Sequence, residues 1–127
     1  MRRRRRLEWF RFKIGGRAWR VVFEPRLMDL DTGAELLGLC DFERCVIRLS
    51  AAQPMPDVCA TLLHELMHCA GQSYVASESD PTAEERFIIA SEVRLWAIIV
   101  QFGFAPPPLP NGFDAMQRDG MAARGLL

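Results

Sequence analysis

Apolar and polar residues alternate loosely through LEWFRFK (Leu7 to Lys13) and again through AWRVVF (Ala18 to Phe23), with Gly15-Gly16 between them. A period of two on either side of a glycine pair predicts an opening β-hairpin. Pro25 to Glu35 is polar and broken by Asp29, Asp31 and Gly33, which predicts a loop or a short helical turn. Leu36 to Cys40, a turn at Asp41 to Glu43, and RCVIRLS (Arg44 to Ser50) read as a second hairpin whose last strand buries Val46, Ile47 and Leu49. Beyond Pro54 the apolar spacing becomes helical. Pro56 suits a first helical position and Asp57 the first turn, and Gly71 follows Ala70 as a natural stop. After a polar connection over Ser73 to Asp80, Pro81-Thr82 opens a second helix that carries Glu84 and Glu85 in its first turn and runs to about Phe102, before Gly103. APPPLP (Ala105 to Pro110) cannot continue it, and the tail from Asn111 is only weakly amphipathic.

Strands first and helices second make the fold class α+β: N-terminal hairpins forming a small antiparallel or mixed sheet packed on two main helices. The expected organisation is an arginine-rich, disordered start (1–6), one domain (7–104), and a proline-rich stretch with a C-terminal tail (105–127). Half of the 127 residues are apolar, enough for one compact core.

Charge changes this picture little. Sixteen positive groups balance sixteen negative ones, but five of the positives are Arg2 to Arg6. Without them eleven face sixteen, a balance of −5, so the body offers no broad basic face to nucleic acid. Weak nucleic-acid contact is expected only through the arginine run. No apolar segment follows that run, which argues against a secretory leader. Glu92 and Arg94 interrupt the apolar stretch from Phe87 to Phe104, which argues for a buried helix over a membrane span. The expected setting is cytoplasmic, with Cys40, Cys45, Cys59 and Cys69 reduced and packed as small apolar groups.

The chemistry lies in TLLHELMHCA, residues 61–70, which holds both histidines of the chain. Four residues apart on a helix, His64 and His68 project from one side, so two imidazoles can reach one metal ion at about 2.0–2.1 Å. Glu65, about 100° round the helix, is turned away from that face and suits a general base. In a shuffled chain of this composition such an arrangement arises about once in a thousand cases. A catalytic zinc takes three protein ligands and keeps a position open. With no third histidine, the candidates for the remaining ligand are Glu78, Asp80, Glu84, Glu85 and Glu92, with Cys69 a poor outsider because it points off the ligand face. Glu78 and Asp80 fall in the connection. Glu85 is favoured, since Ile88 and Ile89 follow it at helical spacing; Glu84 is the second choice, and Glu92 is read as an interior group steadying a histidine ring.

HELMH, followed after sixteen residues by Glu85 in EERFIIASE, resembles the small gluzincin-type zinc metallopeptidases, especially the compact examples encoded by phages and prophages. GGRAWRVVF, GLCDFERCVIRLS and TLLHELMH stand where such proteins carry their strands and motif helix, and the resemblance spans about residues 14–104. It implies a zincin-like minimal domain, with Zn2+ on His64, His68 and Glu85, Glu65 as base, and a peptide or protein substrate. Tyr74 is a candidate to donate to the tetrahedral intermediate. Val46 to Ser50, taken as the sheet edge above the site, would bind an extended peptide by strand addition. The alternative is a non-catalytic, zinc-stabilised binding module, which would need a fourth protein ligand to close the site.

Overall fold

The computed structural model describes residues 5–14, 16–75, 81–101, 103 and 105–127, with the backbone alone at 71–75, 81, 93, 94, 97 and 98. Six strands and three helices are described: β1 (Leu7–Ile14), β2 (Arg17–Glu24), β3 (Leu27–Met28), β4 (Glu35–Leu36), β5 (Gly38–Asp41), β6 (Val46–Ser50), α1 (Met55–Val75), α2 (Pro81–Gln101) and α3 (Phe113–Ala123). The fold is α+β, and its main sheet is mixed.

β1 and β2 form the opening hairpin, with Phe12 opposite Trp19 and Leu7 opposite Phe23. Gly16 supplies the positive φ of 77° that its turn requires. The sheet runs β1-β2-β6-β5, with β6 parallel to β2 and antiparallel to β5. Val46 to Ser50 is therefore an interior strand with neighbours on both sides, and the edges lie elsewhere: among the described residues they are β1 and β5, of which β5 is the one beside α1. The reason is apolarity on both faces. Val46, Ile47 and Leu49 are all buried, which suits a central strand and not a rim. The segment expected as loop or helical turn contributes a two-stranded ribbon, β3 with β4, closed by a turn in which Asp29 accepts from the backbone N–H of Asp31.

One face of the sheet carries Trp19, Val21, Phe23, Ile47 and Leu49 into a core shared with Val58, Leu62 and Cys69 of α1. Trp9 stacks on Phe23 at 5.0 Å, and Phe23 meets Phe113 at 4.6 Å. The segment beyond residue 104 is thus part of the domain and not a tail. Trp9 donates its indole N–H to the Pro107 carbonyl at 2.9 Å, and α3 sinks Phe113 and Met116 into the core. Gly120 lets α3 come close: a Cβ there would stand 1.9 Å from the Pro25 carbonyl oxygen.

α1 continues to Val75, past the expected stop at Gly71. An interior glycine costs a helix only about 1 kcal/mol, too little by itself to end one whose preceding turns are packed on the sheet. α2 lies chiefly against α1. No helix among the described residues is long and apolar enough to cross a membrane.

Candidate metal centre

Helix α1 divides its chemistry between two neighbours. Thr61, Glu65 and Cys69, spaced by four, face β5; His64 and His68, also spaced by four, face α2. At Gly38 on β5 a Cβ would stand 2.7 Å from Thr61 Cγ2 and 3.1 Å from Glu65 Cγ, so the absence of a side chain there lets the edge strand lie on the helix. Gln53, almost fully buried, ties the same corner together. It donates to the carbonyls of Leu37 and Ser50 at 3.3 and 2.8 Å and accepts from Thr61 Oγ1 at 3.0 Å.

Across the helix pair, His64 Nε2 lies 3.1 Å from Glu85 Oε1, and His68 Nε2 lies 2.7 Å from Glu85 Oε2. His64, His68 and Glu85 offer three ligand atoms within 4.8 Å of one another. Two donors on one tetrahedral ion stand roughly 3.3 Å apart; the first of these spacings is near that and the second is shorter, at hydrogen-bond length. The other ring nitrogens are also engaged. His64 Nδ1 is 2.5 Å from Glu92 Oε2, and His68 Nδ1 is 3.0 Å from Glu84 Oε1.

The four contacts pose a question of protons. A neutral imidazole that donates Nδ1–H to a carboxylate has a lone pair at Nε2. Both lone pairs would then face the two oxygens of Glu85, acceptor against acceptor. Such a set is held either by protons that bridge the contacts, on a ring or on a carboxyl, or by one cation among the three groups. Glu65 and Glu92 add negative charge around the same rings. This donor set, two imidazole nitrogens and one carboxylate with carboxylates behind both rings, could hold a divalent metal ion, zinc among those it suits.

Glu65 is 6% exposed. Burial pushes its carboxyl above the usual carboxylate range, the histidines pull it down, and Glu85 and Glu92 push it up again. A raised proton affinity is what a general base needs in order to hold a proton and return it. Glu85 is 43% exposed on its side chain, so the centre opens to solvent on that side.

Glu85, and not Glu84, faces both histidines. Glu84 stands behind His68, and Glu92 steadies His64. Glu78 and Asp80 lie outside the described residues, as does the side chain of Tyr74. Among the described residues no cysteine or second carboxylate joins the three as a fourth ligand. All four cysteines are free. Burial drives the Cys40 thiol far up, with the neighbouring Cys69 sulfur adding to it, so both are inert packing groups. Of the arginine run, Arg5 pairs with Asp119 at 2.6 Å and Arg6 lies 3.8 Å from Glu24, while Arg2 to Arg4 lie outside the described residues.

Three features of this neighbourhood were not expected from the sequence: Gly38, Gln53 and the wall residue Glu35. A lone glycine within a strand pattern is a recognised sign of close approach, so Gly38 was readable in principle. Gln53, a polar residue before a proline, carries no such sign.

The fold is thus an α+β domain, and its site a His/His/Glu centre with a buried glutamate beside it. Comparison of the chain with family models, with curated proteins and with solved structures returns no match in any of the three.

Proposed function

We propose that the protein is a zinc-dependent peptidase of the gluzincin type, with His64, His68 and Glu85 as ligands and Glu65 as general base. The observation that carries the proposal is the confrontation of two Nε2 atoms with both oxygens of Glu85 while carboxylates occupy both Nδ1 positions. Zinc bound there would act as a Lewis acid toward a scissile carbonyl and bring the pKa of water from about 16 to near 7.

The chain's own groups do the rest. Glu92 and Glu84 fix each ring's tautomer and direction. Glu65 takes the proton of the attacking water and later delivers it to the leaving amine nitrogen. An extended peptide is the favoured substrate because β5 is an edge strand. Its inner hydrogen bonds go through Leu37, whose carbonyl accepts from the Ser50 N–H at 2.9 Å. Antiparallel bonding alternates, so the N–H and C=O of Gly38 and Cys40 point to the free side. Gly38 lies against Glu65, so a strand added there would run past the base. The proposal includes a reducing, cytoplasmic setting, in keeping with four cysteines that form no disulfide.

The test is Glu65→Gln, with zinc content and cleavage of a peptide library both measured. Metal should stay stoichiometric while turnover falls by about two to four orders of magnitude. Equal cleavage by parent and variant would sink the reading.

A further inference from the structure

Beside Glu65 lies a cleft of about 320 Å³, walled by Leu36, Leu37, Gly38 and Thr61 on one side and by Ile89 and Glu92 on the other. Pockets for small ligands run from about 300 to 1,000 Å³, so this one takes a single side chain with its flanking backbone. Its apolar walls are uncovered: Leu37 is 44% exposed and Ile89 57%. Two carboxylates at its rim besides Glu65 are already committed. Glu92 is held by His64. Glu35, also part of the lining, receives Arg26 Nε at 2.7 Å and stands 3.2 Å from Arg124 Nε.

The two arginines are themselves anchored. Arg26 donates to the Ala123 carbonyl at 3.3 Å, and Arg124, just beyond α3, donates to the carbonyl of Ala52. Together they hold the Glu35 carboxyl below the usual carboxylate range, with the Arg26 hydrogen bond the main cause. Left alone, Glu35 would place a free negative charge at the mouth of the cleft and favour lysine or arginine. With two guanidiniums on it, apolar surface remains.

Building on the peptidase reading, we propose that this cleft selects a neutral apolar side chain beside the scissile bond, and that Arg26 and Arg124 determine that specificity by cancelling the charge of Glu35. Neither arginine lines the cleft, so they act through Glu35 and not by touching substrate.

The experiment is a cleavage profile of a mixed peptide library by mass spectrometry, with the zinc-loaded full chain. The parent should cut next to Leu, Ile, Met or Phe in preference to Lys or Arg. Arg26→Gln with Arg124→Gln should shift that preference toward Lys and Arg by about tenfold. Adding Glu35→Gln to the same chain should restore the apolar profile, a reversal that mere loosening of the wall would not produce. Leu37→Glu should give the same cationic shift with the arginines untouched, and it decides the matter if the double variant does not fold. A parent that cleaves without apolar preference, or charge variants that cleave with an unchanged profile, would overturn the specificity proposal and leave the peptidase reading standing. Absence of cleavage of every peptide by the parent would overturn both.

Discussion

The two sides of α1 are built to different standards. Toward the sheet it meets Val21, Phe23, Ile47 and Leu49, none of them more than 0% exposed, with Phe113 and Met116 sealing the end. Toward α2 the packing is open. Ile88 is buried, but Phe87 and Ile89 are 65% and 57% exposed, and three glutamates of α2 crowd two histidines. Stability resides on the first side and chemistry on the second. The outer helix is held partly by the same carboxylates that line the candidate centre, so a cation bound there would also tie α2 to α1.

This contrast can be broken at either side. The largest effect belongs to the core. Phe113→Ala removes a ring in contact with Phe23 and should cost about 3–5 kcal/mol in chemical denaturation, with no specific effect on metal affinity in the fraction that stays folded. Stripping zinc comes next. At a free concentration one hundred times Kd, bound metal adds about 2.7 kcal/mol, and its removal should lower the melting temperature accordingly. Hydrogen exchange should then rise first in α2, while β1, β2 and β6 stay protected; a uniform rise would contradict the division drawn here.

Glu92→Ala is subtler. Loss of the carboxylate behind His64 should weaken zinc by about 10–100-fold in a competition titration and leave the core's stability almost untouched. The smallest effect concerns Asp41 at the end of β5. The backbone N–H of Arg44 holds its carboxyl below the usual aspartate range, and the Arg44 side chain helps against opposing burial. A depressed folded pKa gives stability that is complete above the ordinary aspartate value and is lost as pH falls through the folded one. Asp41→Asn should therefore show a shallower loss of stability on acidification from about pH 5 to pH 2.

The local parts of this fold were legible, and the distant ones were not. The hairpin of β1 and β2 follows from alternation and a glycine turn, and the helices from proline starts and apolar spacing. The parallel pairing of β2 with β6 joins segments that nothing local relates, so Val46 to Ser50 was mistaken for a rim. α3 escaped notice because Phe113, Met116 and Gly120 are set among charged neighbours, and their spacing matters only against Phe23 and Pro25. In the candidate centre, the histidine pair stood out by scarcity. The choice between Glu84 and Glu85 turns on about 100° of helix rotation, and a pattern of residues fixes the phase of a helix no better than that. Glu35 was invisible because its role depends on arginines 9 and 89 positions away.

The parallel union of β2 with β6 has a consequence for how the molecule assembles and diversifies. Residues 25–45 connect the two central strands and on the way supply both the β3–β4 ribbon and the rim strand β5. Rim strand β5 pairs with β6 across a short turn, so this hairpin is expected to form before the parallel closure of β2 on β6, whose partners lie far apart in sequence. The stretch that carries Glu35, Leu37 and Gly38 is therefore framed by two paired strands, and its side chains can vary with little penalty to the central pair.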